Sequence, residues 1–478
     1  MRKIALLGSA GCGKSALDIK LSESKTIPFY LSAKHSGQSK NFMKYMLAVI
    51  LNFFFLTGAF AQNTQNIVTT DIDNFWKAYD KITATKDSIK QLEYINKLFV
   101  EKGTPGLRDI MKARHYSPQE YVDAINKYPL FWKSIRENTF KAKSFAKEIE
   151  LGVSKLQKLY PELKPANVYF TIGVFRTGGT TIGNNVLIGS EISLADKNTD
   201  VSELPESFNN LKTYFARNPI DEVVFLNVHE FVHTQQKTTL CDNLLGQSVM
   251  EGVAEFLAVK ALETPSNTPA ITYGKNNEQR VKEVFAKEML NPFYGFWFYS
   301  NAKNEFNTRD LGYYVGYAIA EKSYEKAEDK KLAVKEMIEL DYNNPILLAK
   351  YVDKSGYFPK SIKKYTKEFE KNRPQVINIK PFKNEDKKVS PNITELTVEL
   401  SKEMNKDYKD FYFGPLGKEA SIKIKRFIGF SDDGKSISIE IEPLQPNKHY
   451  QILIGGGFRD KAGVSLKPYL IDFTTANK

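Results

Sequence analysis

Residues 221–237 read DEVVFLNVHEFVHTQQK and put His229 and His233 four positions apart in an otherwise apolar stretch. On a helix, residues four apart share a face, so both imidazoles project to one side about a turn apart. Two neutral imidazoles at that separation can chelate one zinc ion. Glu230 follows the first of them and is placed to take a proton from a water on that ion. The chain has five histidines, two of them in this motif. An apolar helix has no reason to accept His, Glu and His together unless their polarity is compensated, which argues for ligation rather than packing. Asp221 and Glu222 suit the first turn, where the helix dipole favours negative charge.

A catalytic zinc site needs a third protein ligand. Residues 244–262, LLGQSVMEGVAEFLAVKAL, read as a second helix that returns antiparallel after a short loop. Glu251 and Glu255 share one of its faces, and the apolar neighbours Val249, Met250, Val253, Ala254 and Phe256 imply burial. One carboxylate can bind the metal while the other orients a ligand imidazole through its second ring nitrogen.

These two helices sit inside a chain of changing period. Residues 71–163 repeat apolar and aromatic positions every three or four residues and predict helices. Residues 168–193 turn β-rich. The runs VYFTIGVF and NVLIGSEI, joined by a segment containing Gly178-Gly179, predict a hairpin. Helical periodicity resumes over 205–364, and the charged stretch 382–388 reads as a linker. From 389 onward short alternating runs (ITELTVEL, SISIEIEP, YQILIGGG) are split by turn sequences, which predicts a β-sandwich. The expected class is α+β: a mainly helical domain with a hairpin or edge-strand element over 62–385, then a sandwich over 386–478.

His229-Glu230-x-x-His233 followed by Glu251-Gly252-x-Ala254-Glu255 resembles the gluzincin class of zinc metallopeptidases, and within it a group of bacterial zinc proteases. The resemblance covers about residues 71–375. It implies Glu251 as the third zinc ligand and Glu255 as the support of a ligand histidine. The metzincin continuation is absent, since no Gly and His follow His233 at the required places. In the protease group a hairpin with Gly-Gly-Thr and a later Gly-Tyr-x-x-Gly-Tyr element recur. Here these are Gly178-Gly179-Thr180 and residues 312–317. In gluzincins an edge strand of that hairpin lies beside the cleft and pairs with extended substrate. Peptide hydrolysis also needs a donor to the tetrahedral oxyanion. Tyr313 and Tyr317 share a helical face and follow Glu251 at a distance resembling that of the tyrosine in aminopeptidase-type gluzincins.

The implied activity is zinc-dependent hydrolysis of peptides or proteins, with Glu230 as general base. Two other readings stay open. One is a non-enzymatic surface or binding protein on a peptidase-like scaffold, against which the intact Glu230 counts, because binding zinc does not require that base. The other is a nucleotide hydrolase. Residues 8–15, GSAGCGKS, satisfy the pattern of a phosphate-binding loop. Such a loop needs several βα units after it. Instead Met43-Lys44 opens a charged start, an apolar run over 46–60 and a small-x-small site at Ala59-Phe60-Ala61. That pattern predicts a signal peptide over 43–61, export of the mature chain after cleavage near Ala61, and an upstream extension over 1–42. The apolar run is short for a membrane span, so no stable span is expected in the mature chain.

The C-terminal segment resembles bacterial immunoglobulin-like domains of the S-layer type. The residues that carry the likeness are Ser390-Pro391-Asn392, 401–404, 460–463 and 473–475. Such domains are spacers or adhesion modules, so no chemistry is expected there. The formal charge of +12 reads as a solvated basic surface, because no basic-aromatic motif marks a nucleic-acid partner. With two cysteines, Cys12 and Cys241, of which cleavage would leave one, a disulfide scaffold is excluded within the mature monomer.

Overall fold

The computed structural model describes residues 66–300 and 304–477, so the motif at 8–15 and the segment 43–61 lie outside the described residues. The architecture is α+β, a helical part followed by a strand-rich part, each around its own apolar core. The described residues all belong to one compact unit.

Helices α1 (Thr70–Thr83) and α2 (Ala146–Leu159) bracket the first helical layer. Its core is aromatic: Phe75, Phe99, Tyr121 and Trp132 pack with ring centroids 4.9–6.4 Å apart. Against this layer lies a four-stranded sheet of β1 (Asn66–Val68), β2 (Asn167–Thr171), β3 (Gly179–Ile182) and β4 (Asn185–Gly189) in the order β1-β2-β4-β3.

The runs expected to form a hairpin are instead the parallel neighbours β2 and β4, with Val168 opposite Val186 and Phe170 opposite Ile188. The segment between them is long enough to hold a strand of its own, β3, which turns back antiparallel to β4. Two reversals between β2 and β4 leave them pointing the same way. The hairpin is therefore β3–β4, and β3 ends the sheet.

Helix α3 (Val223–His233) follows a 3₁₀ turn at Pro219–Glu222, and α4 (Leu244–Leu262) starts at Asn243, whose side chain accepts from Gly246 N at 2.8 Å. Helix α5 (Leu311–Lys326) crosses α4 at glycines. A Cβ on Gly252 would lie 2.0 Å from the Gly316 carbonyl carbon, and one on Gly316 only 1.6 Å from Ser248 O. The crossing brings backbone against backbone, which no larger side chain permits. Glu251 is thus carried on a helix buried on almost every side.

The strand-rich part has two sheets. One runs β5 (Val376–Lys380), β6 (Glu395–Leu400), β9 (Ser436–Ile441), β8 (Ile424–Phe430). The other runs β11 (Tyr469–Thr474), β10 (His449–Ile454), β7 (Phe411–Tyr412). The sheet structure starts at Val376, upstream of the expected boundary at 386, because β5 pairs with β6. Nor is 382–388 a free linker. Phe382 is buried against Phe473, with ring centroids 4.4 Å apart, and Glu385 N donates to Asp472 O. One buried ring anchors a stretch whose composition is otherwise that of a loop. Among the described residues no helix is long and apolar enough to cross a membrane.

Candidate metal centre

Helices α3 and α4 bring His229, His233 and Glu251 into one buried group that could hold a metal ion. The two Nε2 atoms are 3.1 Å apart, and Glu251 Oε2 lies 3.6 Å from His229 Nε2 and 3.2 Å from His233 Nε2.

The remaining ring nitrogens are engaged elsewhere. His229 Nδ1 is 2.9 Å from Glu255 Oε2. His233 Nδ1 is 2.6 Å from Gln236 Oε1. The Gln236 amide has its orientation set by two acceptors for its Nε2, Met250 O and the Tyr342 oxygen, each at 3.0 Å. The Tyr342 hydroxyl donates onward to Met337 O, so toward Gln236 its oxygen can only accept. Gln236 Oε1 must therefore face His233 and accept from Nδ1–H. Glu255, a carboxylate, likewise accepts from His229 Nδ1–H. With both Nδ1 atoms protonated, neutral imidazoles turn two Nε2 lone pairs and a carboxylate oxygen toward one point. Three acceptors that converge out of water attract positive charge, so the group could hold a metal ion.

The electrostatics agree. Burial alone would push His229 down, but the hydrogen bonds to Glu251 and Glu255 and the charge of Glu255 and Glu230 more than reverse it. His233 is likewise raised against burial, chiefly by Glu251. Burial would raise Glu251, yet the two imidazoles hold it well below the usual carboxylate range. Glu255 is lowered too, against burial, first by His229. A pocket that draws positive charge to its nitrogens this way has the same attraction for a metal ion.

Several partners of this group were not anticipated from sequence. Glu251 Oε1, the oxygen turned away from the histidines, accepts from the Tyr299 hydroxyl at 2.7 Å and from Gln247 Nε2 at 3.1 Å. Glu255 Oε1 accepts from the hydroxyls of Ser266 and of Thr268 (2.8 Å). Gln247 lies one turn before Glu251 on α4, a spacing that could have flagged it. Tyr299, Gln236 and Tyr342 had no such local marker.

Glu230 lines a cleft of about 620 Å³ together with His229, Glu255, Tyr313, Gly178 and Gly179. Its Oε2 accepts from Thr181 Oγ1 at 3.0 Å, and the same hydroxyl is 2.8 Å from the Glu230 carbonyl. Thr181 and Gly179 belong to β3, so the sheet edge lies against the metal helix. A Cβ on Gly179 would sit 3.1 Å from Glu230 Cγ and Oε1, and glycine there lets the strand approach the carboxylate.

The two tyrosines part company. The Tyr313 ring lies 6.1 Å from the His229 ring, and its hydroxyl is hydrogen-bonded to Tyr299. The Tyr317 hydroxyl donates to Glu321 at 3.2 Å, and its ring packs edge-on against Phe256. Tyr317 is not among the cleft-lining residues. One turn of α5 separates them, and only the first lines the cleft.

No protein-family model and no curated protein matches the chain. Solved structures of a bacterial S-layer protein do. One is rSbsC, at 13% identity over 70% of this chain and 46% of that chain, with a TM-score of 0.17. The N-terminal part of SbsC matches at 12% identity, over 84% of this chain and 68% of that one, with a TM-score of 0.18. The chain thus spans under half of the first structure, and overlaps this loose carry no argument about its fold or activity.

Proposed function

We propose that this chain is an exported zinc metallopeptidase that hydrolyses peptide bonds in peptides or proteins. The observation that carries the reading is the convergence of His229 Nε2, His233 Nε2 and Glu251 Oε2 beside the Glu230 carboxylate. Ligands about 2.0–2.1 Å from a tetrahedral zinc lie about 3.3 Å from one another. The separations here are 3.1, 3.2 and 3.6 Å. Two imidazoles and one carboxylate, with a fourth position left open, are a donor set of catalytic rather than structural zinc.

Bound there, zinc would acidify a water and polarise the scissile carbonyl. Glu230, beside the group that would hold the zinc, would be the base that takes a proton there and passes it to the leaving amine. Thr181, donating to Oε2, fixes the carboxylate for both transfers. The Tyr313 hydroxyl, which donates to Tyr299 here, is the cleft-lining side-chain donor that would turn from that partner to the oxyanion. Strand β3, at the sheet edge, offers backbone groups to an extended substrate beside Glu230. His229 and His233 are held for ligation by Glu255 and Gln236.

The decisive test is metal analysis of residues 62–478 with an unbiased peptide-library digest. About one zinc per chain and peptide cleavage are expected. Glu230→Gln should keep the zinc and lose at least about 10²-fold in hydrolysis, the lower range for a missing general base. Zinc without cleavage of any peptide would favour a non-enzymatic binding protein. Full activity of Glu230→Gln would refute the mechanism.

A further inference from the structure

The strand-rich part was expected to be a spacer without chemistry. Its contacts with the helical part contradict a loose attachment. Asn291, 1% exposed, spans the junction. Its Nδ2 donates to Gly463 O at 3.0 Å, and its Oδ1 accepts from Ser465 N at 3.1 Å. Two residues along, the Phe293 ring lies 3.6 Å from the Arg459 guanidinium, which also lies 3.4 Å from the Tyr408 ring.

The segment gripped this way, 289–299, leads to α4 and the metal group at three places. At its start, Met289 O and Asn291 O accept from Leu245 N and Leu244 N, at 2.8 and 3.0 Å. Those are amides of the first turn of α4, which have no partner inside the helix. Further along, the Tyr294 hydroxyl is 3.0 Å from Gln247 Oε1, and Gln247 Nε2 donates to Glu251 Oε1. At its end, the Tyr299 hydroxyl donates to the same Oε1 at 2.7 Å. Apart from one 3₁₀ turn at Gly295–Trp297 the segment has no regular structure. Ordering such a stretch costs conformational entropy, which contacts outside it must offset; besides those of Asn291 and Arg459 these include Trp297 Nε1 to Glu288 and Tyr299 N to Asp310.

We infer that the C-terminal sandwich is a working part of the metal centre: Asn291 and Arg459 fix segment 289–299, and that segment orients Glu251. Both are positioning residues. The inference rests on the metal site proposed above. Without the grip the segment loosens: Tyr299 no longer holds Glu251 Oε1 firmly, Gln247 keeps its bond to that oxygen but loses the steadying Tyr294 hydroxyl, and the carboxylate is less well pre-set to face the histidines. Losing partners of a ligand weakens metal binding by about 10- to 100-fold, and a partial loosening belongs near the lower figure.

The test uses the chain 62–478 with Asn291→Ala, Arg459→Ala and, as control, Lys425→Ala, an exposed sandwich residue paired with Glu440 away from the junction. Zn²⁺ affinity is measured by chelator competition, the Co²⁺-loaded protein by its visible bands, and amide exchange over 289–299 in the metal-free protein. Asn291→Ala and Arg459→Ala should each bind Zn²⁺ roughly tenfold more weakly, show altered Co²⁺ bands and exchange faster over 289–299. Lys425→Ala should match the parent in all three. If Asn291→Ala does not fold, Arg459→Ala, at the rim of the junction, decides. Parent-like affinity and Co²⁺ bands in both junction variants would overturn the inference and leave the metal site standing. A parent that binds no Zn²⁺ would overturn both.

Discussion

Replacing Gln236 with leucine tests the electrostatic logic of the centre at a residue that touches no metal. The side chain keeps a similar volume but loses the oxygen that accepts from His233 Nδ1–H at 2.6 Å. His233 is 7% exposed, so water does not replace that acceptor. A buried donor left unpaired costs about 1–3 kcal/mol. The ring also loses what selects its tautomer, and a proton that moves to Nε2 occupies the lone pair meant for the metal. Loss of such a partner weakens metal binding by about 10- to 100-fold, which is about 1.4–2.7 kcal/mol and agrees with the hydrogen-bond figure. Tyr342→Phe removes only one of two acceptors of the Gln236 amide and leaves Met250 O. It should weaken binding by less than about fivefold, since a single neutral hydrogen bond contributes about 1 kcal/mol or less to one state. Zn²⁺ affinity by chelator competition reads both variants. The order should be parent, Tyr342→Phe, Gln236→Leu. Parent-like affinity for Gln236→Leu would refute the tautomer argument.

Tyr313→Phe should lower turnover about 10²–10³-fold if its hydroxyl donates to the oxyanion, whereas Tyr317→Phe should leave turnover unchanged, since its hydroxyl serves Glu321; steady-state kinetics on one good peptide separates them. Gly316→Ala should destabilise the fold by about 1–3 kcal/mol despite better helix propensity, because its Cβ would fall 1.6 Å from Ser248 O, and chemical denaturation measures it. Glu191, fully buried, is pushed up by desolvation from 4.5 to about 7, although Gly173 N and Phe175 N donate to it. The folded state thus holds that proton more tightly than the unfolded one. The stability this group contributes is present below about pH 4.5 and is lost as pH rises through about 7, a change of roughly 3 kcal/mol. Glu191→Gln cannot ionise, so its stability should gain on that of the parent across this window, and parallel denaturation curves against pH would rule the assignment out.

What the sequence determined was local. His229 and His233 share a face, as do Glu251 and Glu255, because an α-helix puts every fourth residue on one side whatever surrounds it. That a buried His229, His233 and Glu251 group could hold a metal was legible from two such pairs on consecutive apolar helices. The alternating runs after residue 389 likewise marked a strand-rich end. Tertiary structure decided the rest. Gln236 meets Tyr342 across 106 positions and Tyr299 meets Glu251 across 48, separations at which no period in the chain links one residue to the other. The direction of β2 against β4 turned on a four-residue strand between them, too short to announce itself. The difference between Tyr313 and Tyr317, one helical turn apart, lies in what each meets: Tyr313 reaches the cleft and Tyr299, Tyr317 reaches Glu321 and Phe256. Even Phe382, alone in a charged stretch, became core only because Phe473 stood opposite. Periodicity fixes which way a side chain points on its own element, and only the packing of elements fixes what it meets there.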